Sequence, residues 1–191
     1  MAPGRRTFLK GVVAGAAASL LPPGFAPVRA ASTSLTVVPL DNTLRLIAGA
    51  GGNVLVAETG EGLLLVDGGN AQGSAALLKL LGNTRPVRVL FNTHWHPDQT
   101  GSNEALAKAG AKIIAHENTK LWLGTEINVK WQNRVYPPRP ASALPTETIY
   151  SQAKLDFGGT QLEYGHLPQA HTDGDLYVFL PERNVLFTGD I

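Results

Sequence analysis

The protein has 191 residues, a net charge of +1 and no cysteine. Its apolar fraction of 43% is ordinary for a globular protein and gives no compositional case for disorder, and its length favours a single domain. The near-neutral charge gives no reason to propose nucleic acid or an anionic membrane as a partner, and the lack of cysteine excludes disulfides and thiolate metal ligands within the chain.

Residues 1–30 have the pattern of an export signal. The arginine pair Arg5-Arg6 precedes a short apolar run at residues 11–21, and Val28-Arg29-Ala30 resembles a cleavage site. The apolar run is roughly half as long as a membrane-spanning helix needs to be. The sequence therefore predicts a twin-arginine signal peptide at residues 1–30, a mature domain at residues 31–191 and no stable membrane insertion. The expected location is the periplasm, reached through the twin-arginine export machinery. A basic tail followed by an anchor helix is the alternative.

Hydrophobic patterning predicts strands first and then an alternation of helices and strands. The strands are expected at residues 35–38, 44–47, 54–58, 62–66, 87–91, 111–115, 176–180 and 184–187, and the helices at residues 73–81, 102–109 and 119–129. The first helix is expected to bury Leu77, Leu78, Leu80 and Leu81, and Ser102 to cap the second. This alternation favours an α/β sandwich with helices covering sheets.

Residues 128–148 contain several prolines and aromatic residues and are predicted to form a long irregular loop. Such loops in compact domains are often lids over an active site. The alternative is an ordinary surface connection packed by its own aromatic side chains.

His94, His96 and Asp98 follow directly on the apolar strand predicted at residues 87–91. An extended or gently curled backbone points alternate side chains to the same side, so these three can converge where the strand meets a loop. Two imidazoles and a carboxylate suit a metal such as zinc. Solvated histidines in a polar loop are the alternative.

Further candidate ligands lie at other borders between strands and loops. His171 precedes the strand predicted at residues 176–180, and Asp190 follows the one at residues 184–187. Rigid strands can hold such side chains in place. His116 and His166 also lie near strand ends, but we interpret them as structural or hydrogen-bonded histidines rather than ligands.

In this order and spacing, the motifs resemble those of the metallo-β-lactamase superfamily of hydrolases, from about Leu35 to Ile191. The resemblance implies a metallo-β-lactamase-like αββα sandwich whose second half is incomplete in this chain. It also implies a three-histidine metal site and a second metal site. The first would be formed by His94, His96 and His171, and the second would include Asp98 and Asp190, with Asp190 bridging both ions.

The resemblance also bears on residues around these ligands. Asp67, in the turn Asp67-Gly68-Gly69, is implied to support the metal loop by orienting a ligand; a plain turn-forming aspartate is the alternative. Gln99 stands where the family motif has a further histidine, and its amide is a weaker zinc ligand than an imidazole. A histidine that the family usually supplies downstream has no counterpart before Ile191. We therefore expect a weak second site and a chain that is part of a longer protein.

The expected function is that of a zinc-dependent hydrolase with one or two ions and a small-molecule substrate. A metal-bound hydroxide would attack an ester, thioester, lactone, lactam or phosphodiester, with Asp98 as the catalytic residue that orients it. Two alternatives remain open at this point. One is an iron-dependent redox enzyme of the same fold, and the other is an inactive metal-binding remnant.

Overall fold

The structure, a computed structural model, describes residues 34–191, so the predicted signal peptide lies outside the described residues. The strands are β1 (Thr36–Pro39), β2 (Leu44–Ala48), β3 (Val54–Thr59), β4 (Gly62–Val66), β5 (Val87–Phe91), β6 (Lys112–His116), β7 (Ile127–Val129), β8 (Arg134–Tyr136), β9 (Glu147–Ile149), β10 (Gln152–Phe157), β11 (Thr160–His166), β12 (Leu176–Leu180) and β13 (Val185–Phe187). The α-helices are α1 (Ser74–Leu81), α2 (Pro97–Thr100), α3 (Asn103–Lys108) and α4 (Glu117–Leu123). Short 3-10 helices lie at Lys130–Gln132, Ala141–Ala143 and Pro181–Arg183.

Two sheets and a separate hairpin contain these strands. The larger sheet has the order β1-β2-β3-β4-β5-β6-β9, antiparallel from β1 to β4 and parallel from β4 to β9. The smaller sheet, β10-β11-β12-β13, is antiparallel throughout. The β7–β8 hairpin pairs with neither sheet.

The larger sheet buries apolar side chains on both of its faces. One face packs against the smaller sheet, and this layer includes Leu64, Phe91 and Ile114 from the larger sheet and Leu162 and Val178 from the smaller one. The other face packs against α1 and α3 in a layer that includes Val56, Leu65, Leu77 and Leu106. All five residues of β4 are buried, as expected for a strand covered on both faces.

The order of layers is therefore helices, larger sheet, smaller sheet, and the predicted α/β sandwich of the metallo-β-lactamase type is confirmed. The described residues contain no α-helix after α4. The outward side chains of β10, among them Lys154 and Asp156, are exposed. No helix within residues 34–191 is long and apolar enough to cross a membrane.

Several local predictions differ from the structure. The helix predicted at residues 119–129 is wrong in its second half, because α4 ends at Leu123 and residues 127–129 form β7. The loop predicted at residues 128–148 contains the β7–β8 hairpin and part of β9. In α1, Leu77 and Leu81 are buried but Leu80 is 41% exposed. Ser102 lies at the N-cap of α3 without making a side-chain capping bond.

The strands β10 and β11 were not predicted, although their sequences contain a signal. In β10 the inward residues Ala153, Leu155 and Phe157 alternate with exposed polar residues. That alternation is typical of a strand with one buried face. These two strands matter for the site, because the loop that follows β11 carries His171.

Candidate metal centre

Four side chains from three separate loops converge at one edge of the sandwich. His94 and His96 follow β5, His171 precedes β12, and Asp190 follows β13. One ligand atom of each lies within 4.8 Å of the others. The Nε2 atom of His171 lies 3.0 Å from Nδ1 of His96, and Asp190 Oδ2 lies 3.9 Å from Nε2 of both His94 and His171. Among the predicted ligands, the structure brings these four together.

A chain of hydrogen bonds fixes the orientation of His94. The hydroxyl of Thr93 donates to Asp67 Oδ2 at 2.7 Å, so its one proton is used there. The same hydroxyl lies 3.1 Å from His94 Nδ1 and can accept a hydrogen bond from that nitrogen. With its proton on Nδ1, a neutral His94 presents the lone pair of Nε2 to the cluster. Nε2 is buried and has no hydrogen-bond partner among residues 34–191.

Asp67 is fully buried behind this chain of bonds. It accepts hydrogen bonds at Oδ1 from the backbone N–H of Thr93 and at Oδ2 from the Thr93 hydroxyl. Its backbone adopts a positive φ of 62°, which is uncommon for a residue other than glycine. Burial raises the pKa of Asp67 to about 8, and the two bonds from Thr93 act against that rise. These contacts place Asp67 behind the ligands. Thr93 connects Asp67 with His94, and sequence analysis assigned no role to this threonine.

The backbone changes direction at His96, and this separates Asp98 from the cluster. His96 has extended dihedral angles and immediately precedes α2, so Pro97 and Asp98 lie in the first turn of that helix. Residues 93–95 form bends, so the expected alternation of side chains along an extended segment ends with β5 at Phe91. Asp98 is not among the four residues whose ligand atoms converge. Its negative charge still acts on the His96 ring, whose pKa is lowered mainly by burial.

Gln99 lies next to the cluster, at the sequence position where the family motif has a further histidine. Its side chain is 2% exposed, and its amide nitrogen donates to Asp190 Oδ1 at 2.8 Å. Its Oε1 has no hydrogen-bond partner among the described residues. Gln99 thus holds one carboxylate oxygen of Asp190 and leaves Oδ2 facing the histidines.

The turn that carries Asp190 lies directly against the His94 loop. Gly189 has φ +70°, and a Cβ atom there would come within 2.6 Å of Thr93 Oγ1. Only glycine therefore suits this turn. A cavity of about 300 Å³ opens on the other side of Asp190 and is also lined by Gln99.

His116 and His166 lie outside the four-residue cluster. Their rings stack with centroids 3.9 Å apart and an interplanar angle of 18°. His116 Nδ1 accepts from the backbone N–H of Asn118, and His166 Nε2 lies 3.1 Å from the carbonyl oxygen of Asp173. Both rings therefore make contacts of the structural kind expected from the sequence.

The cluster fits a transition-metal ion. A tetrahedral zinc ion about 2 Å from each imidazole nitrogen sets neighbouring ligand atoms roughly 3.3 Å apart. The separations of 3.0 and 3.9 Å in the cluster lie on either side of this value. The orphaned, buried Nε2 of His94 also needs a partner, because an unsatisfied buried polar atom is costly. Neutral imidazoles and one carboxylate are ligands that zinc and similar ions accept.

The ring of His94 is expected to stay neutral far below its ordinary titration range. Burial, reinforced by the nearby His96 ring, lowers its pKa from 6.5 to about 4. In the unfolded chain this histidine would take up a proton near pH 6.5, so its contribution to stability falls as pH falls from 6.5 towards 4. NMR titration of the imidazole nitrogens in metal-free protein should show a midpoint near pH 4. A midpoint at pH 6 or above would contradict this prediction.

Comparison with known proteins agrees with this arrangement. The sequence model of the metallo-beta-lactamase superfamily matches residues 48–191. A hydroxyacylglutathione hydrolase from Erythrobacter litoralis (strain HTCC2594) is 28% identical over 107 residues, which cover 54% of this chain and 34% of that protein. A metallo-beta-lactamase type 2 from Bacillus sp. (strain 170) is 29% identical over 140 residues, 72% of this chain and 49% of that protein. The chain thus spans half or less of the length of these curated relatives.

Solved structures share the fold. A metallo-beta-lactamase from Pontibacter korlensis superposes with a TM-score of 0.64 at 24% identity, over 81% of this chain and 71% of its own. A subclass B3 metallo-beta-lactamase of Bradyrhizobium japonicum gives a TM-score of 0.64 at 23% identity, over 76% of this chain and 57% of its own. Because the family model matches well over half of the sequence, the chain belongs to the metallo-beta-lactamase superfamily.

Proposed function

We propose that the protein is a zinc-dependent hydrolase whose ion is held by His94, His96 and His171. The observation that carries the proposal is the convergence of three imidazole nitrogens and one carboxylate oxygen within 4.8 Å. The buried Nε2 of His94, which lacks a partner among the described residues, supports the same conclusion. A site with three histidine ligands leaves a position open for water or substrate, which distinguishes a catalytic site from a closed structural one.

A bound zinc ion would supply Lewis acidity and lower the pKa of water to about 7. The protein's own groups would orient the reacting atoms. Asp190 Oδ2 faces His94 and His171, while Gln99 holds the other oxygen of this carboxylate. We assign Asp98 to orienting the attacking water, because it follows His96 by two residues and lies in the first turn of α2.

We further propose that one ion binds more tightly than a second. Gln99 donates to Asp190 Oδ1, so this oxygen already has a hydrogen-bond partner and would be a poorer ligand for a second ion. Asp98 lies outside the converging cluster, which leaves few groups for a second site. Asp190 then acts as an oriented carboxylate beside one ion rather than as a bridge between two.

The reaction class is hydrolysis of a small carboxylic acid derivative or phosphodiester. The names of the two curated relatives indicate a hydroxyacylglutathione and a β-lactam as their substrates. A thioester and a lactam are accordingly the first compounds to test, followed by ester, lactone and phosphodiester substrates. Zinc-loaded protein should hydrolyse at least one class, and removal of the metal by a chelator should abolish the reaction. Tightly bound iron with no hydrolysis of any class would overturn the proposal.

We also propose that the protein acts in the periplasm after twin-arginine export. The double substitution Arg5→Lys and Arg6→Lys should leave most of the protein in the cytoplasm as uncleaved precursor, because this pathway recognises the arginine pair rather than positive charge alone. Cell fractionation and immunoblotting measure this. Lys10→Arg, which keeps both arginines and the charge, is the matched control and should not change export. An unchanged periplasmic yield of the cleaved double mutant would contradict export by the twin-arginine pathway.

A further inference from the structure

Helix α4 holds the loop that carries the third histidine of the cluster. The side-chain amide of Asn118 donates to the carbonyl oxygen of Asp173 at 2.8 Å, and the hydroxyl of Thr119 donates to that of Gly174 at 2.9 Å. The indole N–H of Trp122 donates to the carboxylate oxygen Oδ1 of Asp173 at 2.7 Å. One side of a short helix therefore makes three side-chain hydrogen bonds to two consecutive loop residues.

The loop and the helix are also in close contact. A Cβ atom at Gly174 would lie 2.6 Å from the hydroxyl oxygen of Thr119 and 2.8 Å from its backbone nitrogen. A side chain at this position would therefore push the loop away from α4. The contact with the helix therefore limits where the loop can lie, together with the bonds of Thr172 to Asp175 within the loop.

Trp122 also contacts the other metal-binding loop. Its ring lies 6.3 Å from the ring of Trp95, at an interplanar angle of 36°. Trp95 stands between His94 and His96 in the sequence, and its ring centroid is 4.4 Å from that of His96. The indole of Trp122 thus packs towards one loop while its N–H bonds to the other.

His171 depends on such support more than the other histidines do. Its side chain is 35% exposed, whereas that of His94 is 1% exposed. Its ring contacts that of His96, but this contact joins two ligands and fixes neither of them to the rest of the protein. Its place in the cluster is therefore determined by the loop on which it lies.

We propose that Trp122 is a positioning residue for the metal centre, which fixes the His171 loop relative to the loop of His94 and His96. This inference rests on the proposed metal site. Its N–H bond to Asp173 and its packing against Trp95 join loops that belong to different sheets. Without the bond, the His171 loop becomes more mobile, and metal binding must order it.

The test uses Co²⁺ as a probe, because its visible absorption reports both affinity and coordination geometry. Trp122→Phe keeps an aromatic ring but removes the donor. It should weaken Co²⁺ binding about fivefold to tenfold, the scale of the net contribution of an ordinary hydrogen bond, and should change the absorption spectrum. Trp131→Phe is the matched control, because it makes the same chemical change at a position that is 85% exposed. It should alter neither quantity.

A second pair of variants separates positioning from a general loss of stability. Asp173→Asn and Asp173→Ala remove the same charge, but only asparagine keeps an acceptor for the indole N–H. Adding Trp122→Phe should weaken Co²⁺ binding further in the asparagine background. It should have no further effect in the alanine background, where the bond is already lost.

The outcomes distinguish this inference from the proposed function. If the unmodified protein fails to bind Co²⁺ at the histidine cluster, the proposed metal site fails. If the unmodified protein binds Co²⁺ and Trp122→Phe binds it within about twofold with the same spectrum, only the role of Trp122 is overturned. An equal effect of Trp122→Phe in both Asp173 backgrounds would likewise overturn it, because the bond would then not be the cause.

Discussion

Replacing His96 with alanine should remove most of the metal from the purified protein. His96 Nδ1 lies 3.0 Å from His171 Nε2, so both nitrogens can bind the same ion. Losing one of three imidazole ligands should lower affinity by more than about 100-fold, because even the loss of an outer hydrogen-bond partner costs 10- to 100-fold. The measurement is metal content after dialysis, and unmodified protein should retain nearer one ion than two per chain.

His116→Ala provides the matched control for this experiment. His116 is buried like His94 but stacks on His166 outside the cluster. This variant should lose far less metal than His96→Ala, because His116 caps α4 and contributes no ligand atom. Thermal unfolding of both variants checks that they fold. A His96→Ala protein that retains its full metal content would show that the ion binds elsewhere. Two ions held after dialysis of the unmodified chain would contradict the proposed role of Gln99.

Replacing Asp98 with asparagine should lower the hydrolytic rate by about two orders of magnitude and leave the metal content unchanged. The ligand atoms that converge belong to other residues, so the ion does not depend on Asp98. Loss of a positioned acid–base group typically costs about 100- to 10,000-fold in rate. Metal content and rate should be measured on the same sample, with the longer parent protein used if this chain is one part of it.

Asp190→Asn is the variant with which Asp98→Asn should be compared. Asp190 lies in the converging cluster and bonds to Gln99, so its replacement should lower both metal affinity and rate. Asp98→Asn should lower the rate alone. An Asp98→Asn protein with full metal and an unchanged rate would show that Asp98 takes no part in the chemistry, and the mechanism proposed here would have to be abandoned.

Local sequence determined much of the scaffold and most of the candidate ligands. The strands β3, β4, β5 and β12 lie where continuous or alternating apolar residues predicted them, because burial of apolar side chains dictates both the pattern and the fold. His94, His96, His171 and Asp190 were selected from the sequence because each lies at a border between a strand and a loop. The structure places those four together.

Tertiary structure alone decided which groups face the centre of the cluster. Asp98 departs from it because the chain begins a helix at Pro97. The two-residue alternation of the strand has already ended at Phe91. The chain of contacts from Asp67 through Thr93 to His94 joins residues 26 positions apart. The bond between Gln99 and Asp190 spans 91 positions. Periodicity describes only near neighbours along the chain. The contact of Asp67 with Thr93 arises from the pairing of β4 with β5, and that of Gln99 with Asp190 from how the two sheets pack.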